Sequence, residues 1–276
     1  MASPVTLFAW ATPAFFSGAP VDHTWVTDFD NQAHNYPDAN AVAAAGANYW
    51  FCWGGYHAHG GTPGNPTGFL GRQAGTVPLA KCLVQANADS NTMPAARGTI
   101  YSYGVDGVCH QLANQVLYAT GASGAQLTVR RARGYMASTF LYGTYGKQHS
   151  AWAAKIQSCS QAIVAAARGE VSKMAMAPDE FEEHARLVLG DKDAALLQEL
   201  LSLRDEARRS VPPKLEGGPE QQAEALNAAN QAMLDKAAAI LGAEKFERIF
   251  GYPAGTKIDL VDPSVQRQSR PQGSHE

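Results

Sequence analysis

The sequence predicts an α+β fold: a small antiparallel sheet packed on a central helix that bears Cys109, followed by an all-helical C-terminal region. Three observations predict it. Short runs rich in aromatic, Thr and Val residues, bounded by Gly and Pro, read as strands. The glycine-broken stretch Gly104-Val105-Asp106-Gly107-Val108-Cys109-His110-Gln111 gives way to apolar residues at Leu112, Val116 and Leu117, which is helical spacing. The charge balance also changes along the chain. Residues 1–168 hold 6 acidic and 9 basic side chains, whereas 169–276 hold 19 and 13 with many Ala, Glu, Gln and Leu. That shift sets the expected boundaries: an α+β unit over 1–168, a helical region over 169–262 and a disordered tail over 263–276.

Taken in order, Val5 to Ala11 is strand-like, and Pro13 to Pro20 is loop. His23 to Phe29 alternates as a strand, with His23 and Trp25 on one face. Asn48 to Trp53 is a third strand candidate. Residues 54–61 and 62–80 read as Gly- and Pro-rich loop, and Leu79 to Ala86 as a short helix. Arg97 to Tyr103 is a strand that breaks at Gly104. The helix beginning near Cys109 follows, then a glycine turn at 121–124 and a strand over Ala125 to Arg130. Tyr135 to Tyr145 reads as strand or irregular structure, and His149 to Ala167 as a helix. In the charged half, Pro178, Asp179 and Glu180 start a helix that stops at Gly190. Asp191 caps the next, whose buried stripe is Leu196, Leu197, Leu200, Leu201 and Leu203. A long helix from Glu220 to Leu241 ends at Gly242, and a short one from Ala243 to Phe250 ends at Gly251. The Pro/Gly linker between the Leu-rich helix and the long one makes the two an antiparallel helical hairpin.

Cys109 stands where a loop becomes the first turn of a helix. Free N–H groups and the positive helix end favour a thiolate there, and the same groups hold an oxyanion when a thiolate attacks a carbonyl. Such a nucleophile needs a base held by a third polar group. Among the eight histidines, His23 on its strand is the base to expect. His110, one residue on from the thiol, points about 100° away along the helix. Asp30 or His57 is the expected orienting group, with His59 and Asp28 behind them. Gln111, Asp106 and Tyr103 are placed to cap the helix or to hold the oxyanion.

His23-Thr24-Trp25-Val26 and, much later, Gly107-Val108-Cys109-His110 resemble the circularly permuted papain-like fold. Relatives of bacterial cell-wall endopeptidases and of lecithin retinol acyltransferase belong to that group. The resemblance implies histidine first and cysteine last in the chain, with the cysteine opening a buried helix on a small sheet. It implies amidase, peptidase or acyltransferase chemistry with Cys109 as nucleophile and His23 as base. It covers only these two motifs within the first 168 residues and leaves the helical region unexplained. The substrate class that follows is a peptide or other amide, cell-wall peptide or protein, with no cofactor.

A rival from another class is a non-enzymatic binding protein with a structural zinc. Cys52, His57 and His59 form Cys-x4-His-x-His, which Cys82 or Cys109-His110 would complete, although paired zinc spacings are missing. Arg130, Arg131 and Arg133 read as a solvated face or as a clamp for a substrate carboxylate. The C-terminal helices are the expected surface for a protein partner. A net charge of −3 gives no whole-chain argument for nucleic acid, and no apolar run reaches membrane-spanning length. The apolar run after Met1 has no basic residue ahead of it, so it does not read as a secretory signal. Cytosolic synthesis with reduced thiols is the expectation, with signal-independent export as the other route.

Overall fold

Strands form where β-branched and aromatic residues alternate with small ones. Val5–Pro13 (β1) pairs antiparallel with Asp22–Thr27 (β2), placing Thr12 opposite His23 and Ala11 opposite Thr24. Trp50–Phe51 (β3) adds to the far edge of β2, and Gln73–Val77 (β4) to the far edge of β1, giving the order β3-β2-β1-β4. The computed structural model describes residues 5–14, 21–27, 50–51, 73–77, 103–119, 128–147, 179–263 and 266. Helix predominates among them. The expected helices over 79–86 and 149–167 and most of the strand expected before Tyr103 lie outside the described residues.

Three local expectations are corrected. Residues 73–77 were expected as loop but form an edge strand, because pairing with β1 satisfies backbone groups that a polar, glycine-containing run leaves open. Tyr135–Tyr142 is a helix (α2), not strand or irregular structure. Every residue in it but Met136 is buried. A helix covered on all sides has no apolar stripe, so periodicity gives no signal there. Likewise, of the strand expected over 125–130, the described residues Thr128 to Arg130 form a bend and turn.

Cys109–Ala119 (α1) precedes α2 in the chain and packs against β2. Glu180–Leu189 (α3) is capped by Asp179, whose carboxylate accepts from the N–H groups of Phe181 and Glu182. Ala194–Arg209 (α4) buries Leu197, Leu200, Leu201 and Leu203, with Leu196 only partly covered. Pro219–Phe250 (α5) runs on past the expected stop, but Gly242 inside it has a left-handed φ of 71° and kinks it at the residue where the sequence puts a break. The hairpin is antiparallel: Asp193 before α4 meets Lys245 late in α5 at 2.9 Å, and Glu206 late in α4 meets Lys236 earlier in α5 at 2.8 Å. Among the described residues, no helix is long and apolar enough to cross a membrane.

The helices share one core with the first region. Phe140 of α2 packs on Phe181 of α3 and Phe250 of α5, with ring centroids 5.1 and 5.6 Å apart. Arg208 of α4 donates to the carbonyls of Thr139 (2.6 Å) and Phe140 (3.2 Å), where α2 ends, and pairs with Asp179. Burial works against charge on Asp179, but Arg208 and Arg204 outweigh it and hold the carboxyl below the ordinary range. Within the stretch expected as a disordered tail, Gln266 is buried and donates to the Tyr103 carbonyl at 3.2 Å. Replacing Phe250 with Ala removes a ring that links α2, α3 and α5. The expected cost is about 3–5 kcal/mol of unfolding free energy, read by urea denaturation.

Candidate functional site

The site is built on the turn that feeds α1. Gly104 N–H donates to the Gly107 carbonyl at 2.7 Å, closing the turn, and Tyr103 bridges to Gly107. Gly104 has φ +75°, and a Cβ there would lie 2.9 to 3.0 Å from Gln266, Leu226 and Val261, so only glycine fits. Val108 ends the turn and begins the helix. Its carbonyl accepts from Leu112 N–H at 3.1 Å, and its own N–H donates to Gln111 Oε1 at 3.1 Å. Gln111 therefore caps the helix from its third position, as one of the sequence readings had it. Its Nε2 donates to Ser138 Oγ and to the Gly143 carbonyl at 3.2 and 3.1 Å.

Cys109 opens α1 and is 8% exposed. Burial pushes its thiol up to about 11, against the N–H of Thr24, the Thr24 hydroxyl and the N–H of His110, which favour the anion, while Asp262 adds to the rise. The thiolate expected from the helix start is thus not the resting form at neutral pH. Removal from water outweighs the helix end and the donors together.

His110 points away from the thiol, as helix geometry requires. Its Nε2 lies 2.8 Å from the Asp22 carbonyl and its Nδ1 2.8 Å from Ser138 Oγ. A carbonyl only accepts, so Nε2 carries the hydrogen and Nδ1 accepts from Ser138. Burial pushes this ring down to about 4, against the smaller favourable pull of the Asp22 carbonyl and carboxylate. Asp22 is fully buried and serves twice more: its N–H donates to the Arg133 carbonyl, and its carboxylate takes Arg133 Nη2 at 2.7 Å and Arg133 N–H at 2.9 Å. Arg133 is therefore engaged within the chain although it is exposed, as Arg130 and Arg131 are.

Asn114, one turn beyond Gln111, joins the same buried network. It donates to Tyr135 Oη at 2.8 Å and to the Thr144 carbonyl at 2.7 Å, and accepts from Val129 N–H. Tyr135 in turn donates to Glu180 at 2.7 Å, which binds α3 to this layer.

The other sequence-stated residues divide plainly. His23 is buried on β2, and strand alternation sends its side chain to the face opposite Thr24, the residue whose hydroxyl and N–H act on the sulfur. Tyr103 is buried, its hydroxyl accepting from Asp262 N–H at 2.8 Å, and burial raises its pKa well above the ordinary value. Asp106 is buried beneath the turn, and its carbonyl accepts from Lys147 N–H. Asp30, His57, His59, Cys52 and Cys82 lie outside the described residues, so neither the orienting group nor the zinc set is placed. Sequence reasoning missed Asp22, Thr24 and Ser138. Asp22 and Thr24 flank His23, and their shared parity was a usable signal; Ser138 lay in the stretch read as non-helical.

A groove in the surface between α5 and the segment 257–263 is lined by Glu224, Gln231, Asp235, Lys257 and Asp259, and none of the residues around Cys109 lines it. Comparison with family profiles, with curated proteins and with solved structures gives no match.

The buried neutral His110 makes stability depend on acid. Its folded-state pKa is depressed, so the unfolded chain binds its proton first. Stability is full above about pH 6.5 and falls by up to ~3 kcal/mol as the pH drops toward 4. Urea midpoints at pH 7, 5.5 and 4.5 should fall in that order, and His110→Gln should flatten the slope while lowering stability throughout.

Proposed function

We propose that this chain is a cysteine-dependent hydrolase or acyltransferase of the permuted papain-like type, acting on an amide or ester bond of a peptide, in cell wall or in protein. The observation that carries the reading is the seat of the sulfur: a cysteine at the first residue of an 11-residue helix packed on β2, where the N–H groups of His110 and Thr24 favour its anion. The antiparallel β1–β2 pair with α1 packed on β2 agrees with the arrangement that the resemblance implies.

In this reading Cys109 rests as a thiol and loses its proton as it attacks. The sulfur forms a bond to the substrate carbonyl carbon while the thiol proton passes to a base; the resemblance assigns that part to His23, which requires its side chain to reach round the edge of β2 from the face opposite Thr24. That proton then goes to the leaving nitrogen or oxygen as its bond to the carbonyl carbon breaks. The thioester left behind is resolved by water, giving an acid, or by an amine or alcohol, giving the transferred acyl product. The N–H groups around the sulfur supply the electrostatic support.

A second reading, a non-enzymatic partner-binding protein, is favoured by one observation: Cys109 is buried, at 8% exposed, and its neighbour His110 is fully engaged in structure. An activated ester separates the two. With p-nitrophenyl acetate, the enzyme reading expects a burst of nitrophenolate stoichiometric with protein, absent from Cys109→Ala, and a thioester adduct mapped to Cys109. A burst that survives in Cys109→Ala, or none in the native chain, overturns it in favour of the second reading.

A further inference from the structure

Thr24 is 1% exposed, and its Oγ1 is buried without a hydrogen-bond partner. Unmet buried hydroxyls are uncommon and costly, so this one asks for a reason. Its place in the fold supplies one. The His110 ring is bonded to the Asp22 carbonyl at 2.8 Å, which fixes β2 against the first turn of α1. Two residues along a strand the backbone groups and the side chain point the same way again. Thr24 therefore brings both its N–H and its hydroxyl to the end of α1 where Cys109 sits.

We propose that the Thr24 hydroxyl is a preset donor for negative charge on the Cys109 sulfur, completing a three-donor seat with the backbone N–H groups of Thr24 and His110; this rests on the cysteine-enzyme reading and adds a residue to it. A neutral thiol is a weak acceptor and leaves the hydroxyl unmet. A thiolate is a strong one. The hydroxyl thus gains its bond only when the sulfur is charged, which is the condition for lowering a barrier rather than merely holding the ground state. Two other titratable groups bear on the same sulfur: Asp262 from the C-terminal segment and Tyr103 from the turn. Asp262 opposes the anion, so the donors act against a negative neighbour as well as against burial.

The test is the rate of Cys109 alkylation by iodoacetamide on the full chain at pH 9, with each cysteine's adduct quantified by mass spectrometry. Thr24→Val keeps the shape and deletes the donor. The expected result is about tenfold slower labelling of Cys109, equivalent to about one pH unit, with Thr24→Ser within about twofold of the native chain. Thr24→Ala replaces the valine variant if that protein does not show a native circular dichroism spectrum. Labelling that is unchanged or faster in Thr24→Val overturns the proposal, because loosened packing speeds access whereas a lost donor slows ionisation. Equal slowing in Thr24→Ser also overturns it. The readout needs no turnover. A chain with the expected Thr24 dependence but no ester burst loses the enzyme reading alone, and one with a burst but no Thr24 dependence loses the donor alone.

Discussion

The edge of β2 has to be closed. Along its C-terminal half β3 does this, pairing Val26 with Phe51 and Thr27 with Trp50. Along the other half no strand is described, yet the backbone groups of Asp22 point away from β1 and must be met. The turn at Arg133 takes the N–H at 3.0 Å and the His110 ring takes the carbonyl at 2.8 Å. The first turn of α1 thus stands where a further strand would stand. Its capping by Gln111, its tie to α2 through Ser138 and the position of Cys109 all follow from that one substitution of a helix end for a strand.

The cost of this arrangement falls on the sulfur. A helix start exposed to water would ionise a cysteine readily, because the dipole and free N–H groups act while solvent still helps. Here the same helix start is pressed into a strand edge and covered. The donors remain, but the loss of water exceeds what they return, and the thiol ends up less acidic than a free one. Geometry suited to an anion and a medium hostile to it coexist at one atom. The helical layer sustains the burial: Asn230 donates to Tyr142 Oη at 2.7 Å, Tyr142 donates to the Gly104 carbonyl at 3.1 Å, and Asn227 holds the segment that meets Tyr103. The last helix and the segment after it therefore press down on the turn ahead of Cys109.

What could be read in advance follows the range of the forces involved. The helix boundaries at Asp179, Gly190, Gly242 and Gly251 were legible because capping and left-handed glycine are local. So was the start of α1, set by Gly104, Gly107 and the apolar spacing beyond. The α2 helix was not, since Tyr135–Tyr142 is enclosed on all sides and its polar Ser138 and Thr139 are buried too. The protonation of Cys109 was not legible either, because a helix end is visible in sequence whereas what lies against it depends on β2, 82 residues or more upstream by the numbering. The internal use of Arg133 had the same cause: its partner Asp22 is 111 residues away.

Ser138 carries one hydrogen and faces two acceptors, the Nδ1 of His110 at 2.8 Å and the Tyr135 carbonyl at 2.9 Å. With the ring neutral the hydrogen turns to Nδ1, and the carbonyl makes do with Thr139 Oγ1 at 3.0 Å. Should the imidazole gain a proton, Nδ1 becomes the giver, and the hydroxyl must swing round to the backbone oxygen. The ring can thus change its charge without stranding any neighbour, and the rotation of a single hydroxyl records which state a wholly enclosed histidine is in.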